Sequence, residues 1–183
     1  MKFIYQIPGY ILLLFGGFCL SWGGLIIRQF KDAGVWEILL LRSFFFIIAL
    51  TLFLLLTYKK DTFKVIKSSG FPAVVGGLFL SLSFVAYTFG IMATSVANVV
   101  FIISTQTIFL AIFGYFFLKE KISIKGFISI ILAMSGIVIM VGDSLTTGSL
   151  LGNLVALAIP INFSILVMII RKYPKLDMVP AIF

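Results

Sequence analysis

Few side chains in this sequence can do chemistry, and their scarcity narrows the reading. There are six acids (Asp32, Glu37, Asp61, Glu120, Asp143 and Asp177), one cysteine (Cys19) and no histidine. With one thiol and no imidazole, neither a disulfide nor an ordinary His/Cys metal site can be built within the chain, so no metal and no cofactor is expected. The acids all fall near the ends of apolar runs or between them, which leaves no deep carboxylate and no candidate catalytic residue. What remains is a set of polar and aromatic side chains inside apolar stretches: Trp22, Arg42, Tyr87, Asn98 and Gln106. Aromatic walls with a few polar groups are the usual make-up of a small-molecule pocket. These five are the candidate substrate contacts, with Arg42 as the charge anchor.

Each candidate has a plainer reading. Arg42 lies about five residues into an apolar run, roughly 7.5 Å below its boundary at the helical rise. It either faces the bundle and holds an anionic group, or snorkels to the headgroups or pairs with Glu37. Trp22 and Tyr87 sit at similar depth and could serve in packing or an interfacial belt instead, as Trp36 does at the boundary. Asn98 and Thr105 share a helix face seven residues apart, with Ser104, Thr107, Ala111 and Gly114 as a second, small-residue stripe. Gln106 falls near the middle of its run, where an amide needs a neighbouring helix or a cavity. Asn162 is similarly placed further along. Glu120 lies among Lys119, Lys121 and Lys125, so a solvated local ion pair is expected. The pairs Gly17/Ser21, Gly77/Ser81 and Ala86/Gly90 have the small-xxx-small spacing of close helix packing.

The elements that hold these residues follow from composition. Of 183 residues, 62% are hydrophobic and 11% charged, and the mean hydropathy is +1.24. A soluble domain is about one quarter charged, so the partner for this apolar surface is a lipid bilayer. Spanning helices of about 20 residues are predicted over Ile7–Ile27, Trp36–Thr57, Phe71–Ala93, Ala97–Leu118, Gly126–Val141 and Leu151–Ile170. A seventh starts near Met178 and stops at Phe183. Pro8 and Pro72 mark first turns, where a missing N–H costs nothing, and Thr94-Ser95 is a minimal break between antiparallel neighbours. Met1-Lys2 and Gly17-Phe18-Cys19 suggest a signal or lipoprotein leader, but bulky Phe18 and the absence of a following soluble domain favour a retained helix.

The net charge of +8 is spread through short loops, which argues for orienting the chain in a bilayer and against nucleic acid as a partner. Lys2, the lysines at 59, 60, 64 and 67, those at 119, 121 and 125, and Arg171, Lys172 and Lys175 fall on the side of the N-terminus. Only Arg28 and Lys31 lie opposite, besides Arg42 within helix two. The positive-inside rule then predicts a multi-pass protein of the cytoplasmic membrane with a cytoplasmic N-terminus.

A shift of 143 positions aligns Gly9 with Gly152, Leu14 with Leu157, Ser21 with Ser164, and Ile26-Ile27-Arg28 with Ile169-Ile170-Arg171. Five helices separate the copies, so the second enters the membrane inverted, an architecture common in secondary transporters. Ser21-Trp22-Gly23, Leu41-Arg42, Phe117-Leu118-Lys119-Glu120-Lys121, Gly126 and Gly136 together resemble the EamA-type members of the drug/metabolite transporter superfamily. The resemblance implies ten helices in two repeats, cytoplasmic termini, and transport of metabolites, amino acids, nucleotide-related compounds or drugs. One departure is Thr107, where the family often has proline, which bears on the shape of helix four.

The expectation is therefore an all-α integral membrane bundle of inverted five-helix repeats, with about six complete transmembrane helices plus a stub. Residues 1–142 form the first repeat and 143–183 the start of an incomplete second, as in a fragment or truncated product. The expected function is alternating-access transport of a small-molecule substrate, with a homodimer partner or the missing second repeat completing the carrier. Two rivals stay open. A small-multidrug-resistance-like proton antiporter subunit needs a carboxylate in helix one, which has none, and a non-transporting assembly protein needs only partner helices. A membrane enzyme is disfavoured by the lack of histidine and deep acids.

Overall fold

A computed structural model describes residues 8–30, 33–120, 123–144 and 149–174. All regular structure among them is helical. Helix α1 (Gly9–Gln29) starts from Pro8, whose ring fixes φ at −56° and whose carbonyl accepts from the Ile11 N–H. Helix α2 (Val35–Tyr58) opens with Glu37 folded back onto the Gly34 N–H at 3.1 Å, which satisfies one orphan donor and places a negative charge at the positive helix end. A single 3₁₀ turn, Lys59–Asp61, leads into α3 (Thr62–Ala93).

Helix α3 is two pieces. Gly70 has φ 62° and ψ −161°, a region open essentially to glycine alone, and it separates Thr62–Ser69 from the apolar run that begins at Phe71. The expected start at Phe71 is thus the start of the second piece, and the lysine-bearing stretch read as loop is a helix of its own. The fourth predicted helix is also divided, into α4 (Val96–Ser104) and α5 (Gln106–Leu118). At Thr105 the N–H and the hydroxyl both turn to the Ile102 carbonyl, at 3.1 and 2.7 Å. That three-residue closure tightens one turn of an otherwise continuous rod, two residues before Thr107. Helix α6 (Ile124–Ser144) and helix α7 (Leu150–Lys172) complete the set.

Among the described residues, six rods stand where six crossings are expected. Four are long and apolar enough to cross a membrane: α2, α3, α4 with α5 (Val96–Leu118), and α7. In α1 and α6 the apolar runs are shorter, Leu14–Ile27 and Ile124–Gly136, although 21 helical residues rise about 31 Å, roughly the hydrocarbon thickness. The expected stub from Met178 lies outside the described residues.

The hub is α3. It carries α7 along one side, α2 along another and α1 at its C-terminal half, while α7 also packs on α4 and α5, and α6 rests on α4 and α5. Small residues permit the closest approach. A Cβ built on Gly152 would lie 2.9 Å from the Ala93 carbonyl carbon, and one on Gly90 would lie 3.4 Å from the Ala156 Cβ. The Ala86/Gly90 pair thus serves helix packing as its spacing predicts. Gly17 has no neighbour within 4 Å of its would-be Cβ, and Ser21 is exposed, so that pair packs against nothing among the described residues. The core, with Ile27, Ile38, Ile91, Val99, Ile102 and Ile159 around Ala86 and Ala156, lies where α1, α2, α3, α4 and α7 converge.

Candidate functional site

Arg42 projects from α2 onto α3. Its guanidinium carbon stands 4.5 Å from the centre of the Phe84 ring and 5.1 Å from that of Tyr87. Phe84 and Tyr87 are three residues apart on α3 and share a face, so one cation meets two π-systems. Phe46, one turn beyond Arg42 on α2, meets Phe84 edge-on at 5.5 Å. Arg42 therefore does not pair with Glu37, whose carboxylate caps its own helix. Its Nη1 is fully buried and has no hydrogen-bond partner among the described residues. An unbonded guanidinium nitrogen is costly in a low-dielectric setting, and cation–π attraction offsets only part of that cost.

Helix α1 reaches this cluster through glycines. The Tyr87 hydroxyl lies 3.5 Å from where a Gly23 Cβ would stand and 3.7 Å from that of Gly24. Trp22 turns away: it is 53% exposed and meets Phe18 edge-on at 6.2 Å. Of the three residues expected at one level, Arg42 and Tyr87 come together, and α1 supplies backbone rather than an indole. Beside them a shallow groove of about 380 Å³ runs between α2 and α3, with Trp36, Leu39, Ser43, Ser81 and Phe84 in its walls.

Asn98 belongs to a second cluster. Its side-chain amide donates to the Thr94 hydroxyl (3.2 Å) and to Asn153 Oδ1 (3.4 Å), and the Thr94 hydroxyl donates to the same Asn153 oxygen at 2.9 Å. Thr94 and Asn153 are 5% and 3% exposed. Ser95 caps α4 by accepting from the Asn98 N–H, and the Ser149 hydroxyl donates to the Ala93 carbonyl. The α3–α4 turn is in this way tied to the start of α7. Asn153 was not among the sequence candidates, and its signal was only an amide in the first turn of an apolar run. Asn162, a sequence candidate for a polar contact, is half-buried and its side chain makes no hydrogen bond among the described residues.

Gln106 opens α5 half-buried, and its backbone carbonyl faces the buried Ser164 hydroxyl of α7 at 3.5 Å. It is in neither cluster. Glu120 departs from expectation in its partner. The chain ends α5 with Lys119 in the left-handed region (φ 55°) and the Glu120 N–H bonded to the Gly114 carbonyl, a left-handed close that satisfies a helix-end carbonyl. The Glu120 carboxylate then folds over Gly114 and takes both oxygens to Arg171 Nη1 of α7 at 3.0 Å. The ion pair ties the end of α5 to α7.

Among the described residues no three His, Cys, Asp or Glu side chains converge. Neither a curated protein nor a solved structure matches the chain. The model of the EamA-like transporter family, a helical membrane fold whose members move small solutes, matches residues 7–142, the span holding Arg42, Phe84, Tyr87 and Asn98. This multi-pass helical membrane protein belongs to the EamA-like transporter family.

Proposed function

We propose that this protein acts in secondary transport of small organic solutes across the cytoplasmic membrane by alternating access, and that Arg42 with Tyr87 anchors an anionic group of the solute. The observation that carries the reading is the buried, unbonded Nη1 of Arg42 in a spanning helix. A carboxylate or phosphate reaching it would complete the hydrogen bonding and neutralise the charge, while Phe84 and Tyr87 would pack the solute's apolar part. Residues 1–142 are read as one five-helix repeat and 143–183 as belonging to a second, with the N-terminus cytoplasmic. The end of the family match at residue 142 supports that division, and the fit of α7 between α3, α4 and α5 suits two repeats packed on one another. Trp22, Asn98 and Gln106 stand apart from Arg42, so their part in the path is at other positions along it.

The test is uptake by membrane vesicles from cells expressing the native protein, using radiolabelled amino acids, organic acids and aromatic carboxylates. Saturable uptake of at least one carboxylate solute is expected. Arg42→Gln should raise its apparent KM roughly tenfold or more, the usual loss for a hydrogen bond to a charged group, with the amount of folded protein nearly unchanged. An unchanged KM in the variant, or uptake lost only because the protein disappears, overturns the assignment of Arg42.

A further inference from the structure

The stretch from Lys59 to Phe71 has a geometry that packing inside the bundle does not use. Helix α3 has 32 residues, about 48 Å of helix against a hydrocarbon core of about 30 Å. Its second piece alone, from Phe71 to Ala93, rises about 35 Å and fills that core. Thr62–Ser69 is therefore left at the membrane boundary, and Gly70 breaks the axis where the two pieces join.

One face of this short helix is fixed to the protein. The Thr62 hydroxyl donates to the Leu54 and Lys59 carbonyls at 3.2 and 2.8 Å. Ser69 is 1% exposed, and Val65, one turn earlier, is half-buried. The remaining faces divide by chemistry. Phe63 is 80% exposed and Ile66 36%, with Phe71 at 79% just past the break. Lys64 and Lys67 are exposed on the adjoining face, and Lys59 precedes them. The segment holds four lysines and a single acid, Asp61. An apolar edge beside a basic edge, on a helix held at the end of a spanning rod, is the pattern of an interfacial helix on an anionic surface.

We propose that Lys59–Phe71 binds anionic phospholipid headgroups of the leaflet in which it lies, with Lys64 and Lys67 on the phosphates and Phe63 and Ile66 at the acyl boundary. A soluble phosphate compound would match the lysines but would leave Phe63 and Ile66 in water, so the lipid is the occupant. The proposal needs only that the chain is embedded in a bilayer and is independent of what it transports.

The test is electron paramagnetic resonance of spin-labelled phosphatidylglycerol and spin-labelled phosphatidylcholine with the full chain in phosphatidylcholine vesicles. The protein should immobilise the anionic label in preference to the zwitterionic one. Lys64→Gln with Lys67→Gln should reduce that preference by roughly 25-fold, since each lysine near an anionic surface is worth about a fivefold factor. Lys125→Gln with Lys172→Gln, at the ends of other helices, should change it much less. Phe63→Ser should weaken retention of the anionic label as well. Equal association of the two labels with the wild-type chain overturns the proposal, as does equal loss in the two lysine pairs. Full retention in Phe63→Ser overturns the placement of Phe63 at the acyl boundary.

Discussion

Asn153 and Asn162 lie nine positions apart on α7, yet only one of them does structural work. Asn153 is 3% exposed and accepts from both Thr94 and Asn98, whereas Asn162 is half-buried and bonds no described side chain. Asn153→Ala should therefore cost about 1 kcal/mol, in the upper part of the range for polar contacts between membrane helices. Asn162→Ala should be nearly neutral. Unfolding of both variants by sodium dodecyl sulfate in mixed micelles measures the difference, and equal costs would show that the Thr94–Asn98–Asn153 network adds nothing. Residue types alone could not rank the two asparagines. Which face of α7 meets α3 depends on Gly152 lying against the Ala93 backbone and Ala156 against Gly90, contacts made across more than fifty residues of chain. For the same reason the common depth of Trp22, Arg42 and Tyr87 was legible, while the contact of Arg42 with Tyr87 and the outward turn of Trp22 were not.

Element boundaries were far more legible, because length and apolar runs are local properties. Trp36–Thr57 became Val35–Tyr58, and Leu151–Ile170 became Leu150–Lys172. The misses come from backbone rather than composition. Lysines hid the helix Thr62–Ser69, and nothing in Ser104-Thr105-Gln106 announced the tight turn there. Helix α2 is apolar on nearly every side and buries only Ile38, Leu39 and Leu54, so no pattern in it marks the face that meets α3. Gly70 gives the sharpest test at this scale. A methyl group would fit there, since the nearest atom to its would-be Cβ is Pro72 Cδ at 3.8 Å, but φ 62° with ψ −161° would strain any L-residue. Gly70→Ala should destabilise by about 1–3 kcal/mol. Gly16→Ala, in the interior of α1 with nothing within 4 Å, should be neutral or stabilise by up to about 1 kcal/mol. The two alanines are compared by the same unfolding titration. Equal effects would mean that the break at Gly70 is not fixed by its backbone conformation.

At the scale of the whole molecule the two ends of the bundle differ in kind. One end holds the Thr94–Asn98–Asn153 network and the core around Ile27, Ile38 and Ile91, which are apolar or neutral. The other holds the Glu120–Arg171 ion pair, whose members are about half exposed, and the basic helix Thr62–Ser69. An exposed pair contributes about 1 kcal/mol or less, so the first end is the more firmly tied of the two. Charge also sets orientation. Lysine and arginine near the ends of spans resist translocation, and they crowd the end that carries Lys64, Lys125 and Arg171. The start of α1 shares that end, because α1 runs from Pro8 toward the core where Gly24 meets Ile91 and Val96. Reporter fusions after Lys64 and after Ser144 test this directly, since Ser144 closes α6 at the opposite end from Lys125. A fluorescent reporter that folds only in the cytoplasm should be bright after Lys64 and dark after Ser144, with alkaline phosphatase giving the reverse. Swapped signals would invert the orientation while keeping the helix count. The same compartment for both would remove a crossing between them and, with it, the basis for reading α7 as the inverted counterpart of α1.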